Sequence, residues 1–271
     1  MTRNPSPSVV LPTATAAPKD RQFVTALARG LQILSCFTAT RPELSGSDIA
    51  KLTGLPQPTV WRLCHTMVQV GTLVLVPGEK FRPGLAVLQL GHSAISGLNA
   101  IELARPHMQV IADSFGAACG MAVRNGLDMV FVERCEGKNQ LLMNLRVGST
   151  VPVANSALGW AYLCGLSRQE RQQTINYITR EDGELWSKVS PLFFDALKHY
   201  EKKGFTINAG VFHPAYSTIA VPIIAPDGTV PYTLNCGSAA ATLTEKELST
   251  RVAPQLIKLA SSLRSLLAMN A

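Results

Sequence analysis

Six side chains in the first third of the chain have the chemistry to hold duplex nucleic acid. Four lie in the run Gln57-Pro58-Thr59-Val60-Trp61-Arg62, and Lys80 and Arg82 follow. Glutamine pairs bidentately with adenine, threonine bonds a phosphate or touches a thymine methyl, and arginine takes guanine or phosphate. If Val60 and Leu63 turn inward, Gln57, Thr59, Trp61 and Arg62 are left on the opposite side or its edges, where a major groove would meet them. Lys80 and Arg82 supply positive charge suited to the phosphate backbone without reading sequence. A plain solvated helix face would carry similar residues, so the elements around them have to decide.

Covalent or metal chemistry finds little support. The chain has no G-x-S-x-G, no G-x-x-x-x-G-K-[ST], no G-x-G-x-x-G and no H-E-x-x-H. Histidines 65, 92, 107, 199 and 213 have no metal-ligand spacing, and no C-x-x-C joins any of the six cysteines. Neither catalytic residues, nor a metal, nor a cofactor is therefore expected. A nucleophile pair assembled only by folding, such as Cys236 with His213, remains an open alternative.

The elements that must position the candidate residues are legible from periodicity. Residues 1–21 are rich in Pro, Ser, Thr and Ala without a period and read as a flexible arm. Leu27, Leu31, Leu34 and Phe37 recur at helical spacing. A short second helix is expected with Ser47 as its N-cap and Asp48 at its positive end. Gly54 ends it, and Pro58 opens a third helix with Val60, Leu63, Met67 and Val70 inward. Gly71 stops that helix, and Thr72 to Arg82 reads as two short strands joined at Pro77-Gly78. Three helices and a hairpin in this order make a winged helix-turn-helix over residues 22–84.

Residues 85–99 then predict a linker helix, and Ile101 to Phe115 another helix interrupted at Arg105-Pro106. Over residues 100–271 the pattern mixes strands and helices. Strands are expected at Met121 to Val123, Met129 to Val132 and Leu141 to Val147, with Asn125-Gly126 turning the first hairpin. The box Ser167-x-x-Glu170 opens a polar helix, and Leu192 to Tyr200 forms another. Strands return at Phe205 to Asn208, Thr218 to Ile224 and Tyr232 to Cys236, and Thr244-x-x-Glu247 opens a last helix. The class is α+β, with a sensor-like second domain.

Composition agrees with a folded protein. The 271 residues are 46% hydrophobic and 16% charged, enough to bury a sizeable core. The net charge of +7 is uneven, since residues 1–92 hold 9 Lys/Arg against 4 Asp/Glu and the remainder 16 against 14. A basic front on a near-neutral body favours an anionic polymer as the front's partner. No apolar run approaches the roughly 20 residues of a membrane span, so a cytoplasmic location with no membrane partner is expected.

Seven short motifs, in order, resemble those of the IclR-type transcriptional regulators. They are Phe23-Val-x-Ala-Leu-Ala-Arg-Gly-Leu-x-Ile-Leu34, Ile49-Ala-x-x-Thr-Gly-Leu-Pro56, Thr59-Val-x-Arg62, Phe81-Arg-x-Gly84, Val147-Gly-x-x-x-Pro152, Ser156-x-x-Gly159 and Ile219-Ala-Val-Pro222. The resemblance spans Phe23 to Leu267, and its opening looks most like the branch controlling aromatic-acid catabolism, the protocatechuate and hydroxybenzoate regulators. It implies a winged helix-turn-helix, a helical linker and a GAF-like effector-binding domain, assembled as dimers or dimers of dimers.

Carried over by position, the resemblance implies a pocket for a small organic acid. Backbone N–H groups at Ala157 and Leu158 would face a carboxylate at a helix start. Met143, Val151 and Tyr216 would be apolar walls, and Asn208, Thr218, Asn235 and Gly237 polar contacts, with Ser156 adding a hydroxyl. The chain departs from many relatives at Ala209-Gly-Val-Phe-His-Pro214, which replaces an acidic run, and at Gly237, which has no side chain where some have a hydroxyl. Both favour an effector with an aromatic or hydrophobic body. The expected function is a DNA-binding regulator on a palindromic double-stranded operator, modulated by a small organic acid, aromatic by preference. Its rivals are a small-molecule enzyme built on the second domain, and a DNA-binding protein whose second domain only dimerises.

Overall fold

A computed structural model describes residues 23–38, 40–96, 99–137 and 143–269. The arm expected over residues 1–21 lies outside the described residues. The chain divides into two compact units, Met1–Gly97 and Leu98–Ala271.

The first unit runs α1 (Thr25–Ser35), β1 (Leu44–Ser45), α2 (Gly46–Thr53), α3 (Gln57–Gln69), β2 (Leu73–Val76), β3 (Lys80–Pro83) and α4 (Leu85–Ser96). Its strands form a small antiparallel sheet in the order β1-β3-β2. The core gathers Ile33, Leu44, Ile49, Val60, Cys64, Met67, Leu73 and Phe81, one or more from each element from α1 to β3. Removing these side chains from water is the main term holding three short helices together, since helices this short are marginal alone. Three expected inward positions are corrected. Leu27 and Leu31 are exposed on α1, where Ile33 enters the core instead, and Val70 is exposed because α3 has already ended.

The N-cap of α2 is Ser45, not Ser47. Ser45 Oγ accepts the Asp48 N–H at 3.2 Å while Asp48 Oδ2 accepts the Ser45 N–H at 3.1 Å, a reciprocal box that needs a spacing of three. Hydrogen bonds from Ser45 hold the Asp48 carboxyl below the ordinary aspartate range. Those from Thr244 do the same for Glu247 in the second unit. A depressed folded pKa stabilises above the unfolded value and is lost as pH falls through the folded one. Thermal midpoints should therefore stay level down to about pH 5 and fall below about pH 4. Asp48→Asn should be less stable at neutral pH and show a shallower acid slope in the same melts.

The second unit runs α5 (Asn99–Phe115), β4 (Ala118–Asn125), β5 (Asp128–Glu136), β6 (Thr150–Pro152), α6 (Ala157–Gly165), α7 (Arg168–Lys203), β7 (Thr206–Ala209), β8 (Tyr216–Ile223) and β9 (Tyr232–Ala239). It closes with α8 (Glu245–Glu247), a π turn (Leu248–Val252) and α9 (Ala253–Met269). The six strands form one antiparallel sheet in the order β6-β5-β4-β9-β8-β7. On one face lies α6, where Thr206 Oγ1 donates to the Ala157 carbonyl at 3.3 Å. The other face meets α5, where Cys135 Sγ donates to the Arg105 carbonyl at 3.6 Å. Trp160, Trp186 and Phe193 pack between α6 and α7 in one hydrophobic core cluster.

Three expectations change here. The strand expected at Leu141 to Val147 is not present over residues 143–147, and residues 141 and 142 lie outside the described residues. β6 pairs later because Phe131 already exchanges backbone bonds with Ser149 and Gly148. Helix α5 runs through Pro106 without interruption, its buried Ala104, Met108 and Ile111 holding both sides of the proline against the sheet. α7 is continuous apart from a break at Asp182, with φ −144° and ψ 65°; Asp182 Oδ1 accepts the Leu185 N–H at 3.1 Å and so caps the second half. No helix among the described residues is long and apolar enough to cross a membrane.

Candidate nucleic-acid interface and ligand pocket

In the first unit, α3 turns Val60, Cys64 and Met67 into the core and leaves Gln57, Trp61 and Arg62 exposed, with Thr59 half-buried at the edge. No Asp or Glu occurs between Leu55 and Val70, so the outer face of α3 offers donors and positive charge without a competing carboxylate. Gln57 Nε2 donates to Ser47 Oγ at 2.8 Å, tying the start of α3 to α2. Trp61 is 52% exposed, and its ring meets Phe81 of β3 edge-on at 6.0 Å. The indole therefore braces the hairpin against α3 as well as presenting a surface. Lys80 and Arg82 are exposed on β3. Among the described residues, Arg62, Lys80 and Arg82 have no ion-pair partner.

The second unit holds a cavity between the sheet and α6. It is lined by Phe131, Arg134, Met143, Leu145, Val151, Ser156, Ala157, Leu158, Asn208, Phe212, Tyr216, Thr218 and Asn235. Nine of the ten residues placed there by resemblance are brought together: Met143, Val151, Ser156, Ala157, Leu158, Asn208, Tyr216, Thr218 and Asn235. Gly237 does not line it. A Cβ at Gly237 would stand 2.6 Å from Thr218 Oγ1 and from Tyr216 Cε1, so its absence lets those two lining side chains lie over β9. Gly120 hollows the neighbouring strand in the same way, since a Cβ there would meet Phe131 at 2.4 Å and Asn235 Oδ1 at 2.5 Å. The cavity has about 30 Å³ of free volume, room for about one water.

Two expected polar contacts are already engaged in structure. Ser156 Oγ donates to the Pro152 carbonyl at 2.6 Å and accepts the Gly159 N–H at 3.1 Å, capping α6. Asn208 Nδ2 donates to the Asn155 carbonyl at 2.8 Å while its Oδ1 accepts the Phe212 N–H at 3.1 Å, pinning the loop before β8 to the loop before α6. These two shape the pocket. Asn235 differs: it is 5% exposed and its Oδ1 has no hydrogen-bond partner among the described residues, the costly condition for a buried acceptor.

Phe131, Arg134, Leu145 and Phe212 were missed by sequence reasoning. For the first two the cause is a β-bulge. The register runs Gly120↔Arg134, Met121↔Glu133 and then Ala122↔Phe131, so Val132 is the extra residue and two positions of odd separation share one face. The Arg134 guanidinium lies over the Phe131 ring at 5.5 Å, within cation–π range. Its Nε donates to Glu136 Oε1 at 3.1 Å, and the side chain is 6% exposed. Burial pushes the Tyr216 phenol up to about 12, against the nearby Arg134 charge, so Tyr216 is a neutral hydroxyl at working pH.

The alternative nucleophile pair is not brought together at the cavity. Cys236 alternates along β9 with Asn235 and so points to the opposite face, in register with Cys119, where it is fully buried. His213 lies in the loop before β8, and its Nδ1 accepts the Ala215 N–H at 3.3 Å.

Comparison with known proteins matches both units. Residues 26–77 match the IclR helix-turn-helix domain, and residues 92–265 match the bacterial transcriptional regulator IclR C-terminal family. The chain is 33% identical over 214 residues to the HTH-type transcriptional regulator TsaQ1/TsaQ2 of Comamonas testosteroni, covering 78% of this chain and 76% of that protein. An IclR family transcriptional regulator from Brucella abortus superposes with a TM-score of 0.81 at 35% identity, over 92% of this chain and 94% of that one. An IclR homolog from Microbacterium hydrocarbonoxydans, crystallised with 4-hydroxybenzoate, shares the fold with a TM-score of 0.73 at 22% identity, over 90% of this chain and all 100% of the other.

Proposed function

Because the chain belongs to the IclR family of bacterial transcriptional regulators, we propose that its α3 reads a palindromic operator and that a small aromatic acid in the second-unit cavity modulates this binding. The observation that carries the DNA half is α3 itself, with exposed Gln57, Trp61 and Arg62 on a face free of carboxylates, beside Lys80 and Arg82. A recognition helix with a basic hairpin at its flank suits base edges and phosphates together. In this reading residues 22–84 bind DNA, 85–99 link, and 100–271 bind the effector.

The cavity supports the acid. Ala157 and Leu158 begin α6, where backbone N–H groups and the helix dipole favour an anion. Phe131, Phe212, Met143 and Val151 supply apolar walls for a ring, and the Microbacterium homolog of the same fold is named as a complex with 4-hydroxybenzoate. Palindromic reading requires two copies. Exposed Leu27 and Leu31 on α1, with Leu85, Leu88 and Leu90 on α4, give apolar surface for pairing. The place of work is the cytoplasm, where the chromosome is.

The effector acts by linkage: it changes operator affinity by as much as its own affinity differs between the arrangements of the protein. The test is binding of the purified protein to its own upstream DNA, with and without 4-hydroxybenzoate and related benzoates. The expected result is retention on that DNA over unrelated DNA, with an affinity that the acids change about five- to 150-fold. Equal binding to unrelated DNA would remove the operator reading. DNA binding indifferent to every acid would instead favour a second unit that only dimerises.

A further inference from the structure

The cavity has two polar groups that neither the α6 N-terminus nor its capping explains, and they stand in one row of the sheet. Arg134 on β5 and Asn235 on β9 are both in register with Gly120 on β4. Their backbones are thus two strand spacings apart, roughly 10 Å. The residue between them has no side chain, and the space a Cβ would take there is filled by the edge of the Phe131 ring and by Asn235 Oδ1. One end of the row is a buried guanidinium on the Phe131 face, and the other is a buried amide oxygen without a donor among the described residues.

The geometry points to Arg134 as the residue that takes the effector's carboxylate, and to Asn235 Oδ1 as the acceptor for a hydroxyl or amine donor at the effector's other end. This assignment rests on the effector-pocket reading above and adds to it the orientation and chemical class of the ligand: a flat carboxylic acid with a hydrogen-bond donor far from the acid group. Arginine has donors only and is pre-shaped for a carboxylate. Its present partners are the Glu136 carboxylate, whose side chain is 49% exposed, and the Tyr216 hydroxyl. An arriving carboxylate competes with Glu136 for the same guanidinium, and its ring lies against Phe131 along the same row. The donor at the far end satisfies a fully buried lining oxygen that lacks a partner among the described residues.

The full chain tests this by calorimetry with three probes: 4-hydroxybenzoate, 4-hydroxybenzamide and benzoate. The unmodified protein should prefer the acid to the amide, and the hydroxylated acid to benzoate. Arg134→Gln should weaken 4-hydroxybenzoate roughly ten- to a hundredfold while leaving the amide unchanged. Glu136→Gln provides a readout that a merely structural arginine would not move, because losing the competing carboxylate should tighten 4-hydroxybenzoate several-fold. Should Arg134→Gln fail to fold, this second variant decides alone. Asn235→Leu should erase the preference for the hydroxyl and keep that for the acid.

Unchanged acid binding in Arg134→Gln, or no tightening in Glu136→Gln, would overturn the carboxylate assignment and leave the pocket reading intact with the acid at α6. A hydroxyl preference that survives Asn235→Leu would overturn the other end. If no probe binds the unmodified protein, this assignment falls together with the aromatic-acid reading.

Discussion

Arg62→Ala should weaken binding to the upstream operator by roughly five- to 150-fold, the loss of about 1–3 kcal/mol that one good bidentate base contact provides. Arg62 is exposed in the first half of α3, with no carboxylate partner among the described residues. Its guanidinium need not break an internal contact to reach a guanine. Affinity for unrelated DNA should fall much less, because a base contact carries sequence information and a phosphate contact does not. Lys80 and Arg82 form the internal control. Changing both to alanine should weaken all duplexes alike and reduce the dependence of log affinity on log salt by about 0.9 for each phosphate no longer neutralised. Fluorescence anisotropy with operator and scrambled duplexes at several salt concentrations separates the two patterns. An Arg62→Ala protein that discriminates operator from scrambled DNA as well as the unmodified protein does would remove Arg62 from the reading of bases.

The second large effect is on stability. Phe193 is fully buried, edge-on to Trp160 at 6.3 Å and tilted against Trp186 at 5.4 Å. It is the side chain through which α7 grips α6, and α6 forms the roof of the cavity. Phe193→Ala should cost about 3–5 kcal/mol, combining lost transfer energy with the void left behind. For a unit of this size that lowers the thermal midpoint by on the order of 10 °C. Phe194, its half-exposed neighbour in sequence, should cost far less on the same change and controls for helix propensity. Two-state melts of the full chain check both, and equal losses at the two positions would contradict this packing.

How much of this could be read from residues alone depended on how local the signal was. α3 was bounded by Pro58 and Gly71, and the hairpin by Pro77-Gly78, each a short-range steric rule. The capping boxes at Ser167 and Thr244 were visible for the same reason. Ser45 was missed because Ser47 stands nearer to Asp48, although only Ser45 has the spacing that lets both side chains bond back. β1 is two residues long and exists only through pairing with β3, so no periodicity announces it. In the pocket, nine residues came from resemblance, while Phe131 and Arg134 were hidden by a bulge that breaks alternation. Leu145 and Phe212 come from segments without regular structure, for which neither period applies.

The small free volume of the cavity has a kinetic meaning. A benzoate-sized guest does not fit in about 30 Å³, so the walls must part before or during its entry. Apparent affinity is then the intrinsic affinity scaled by the fraction of molecules standing open. Uptake should be slower than diffusion and level off at high guest concentration, at the rate of opening itself.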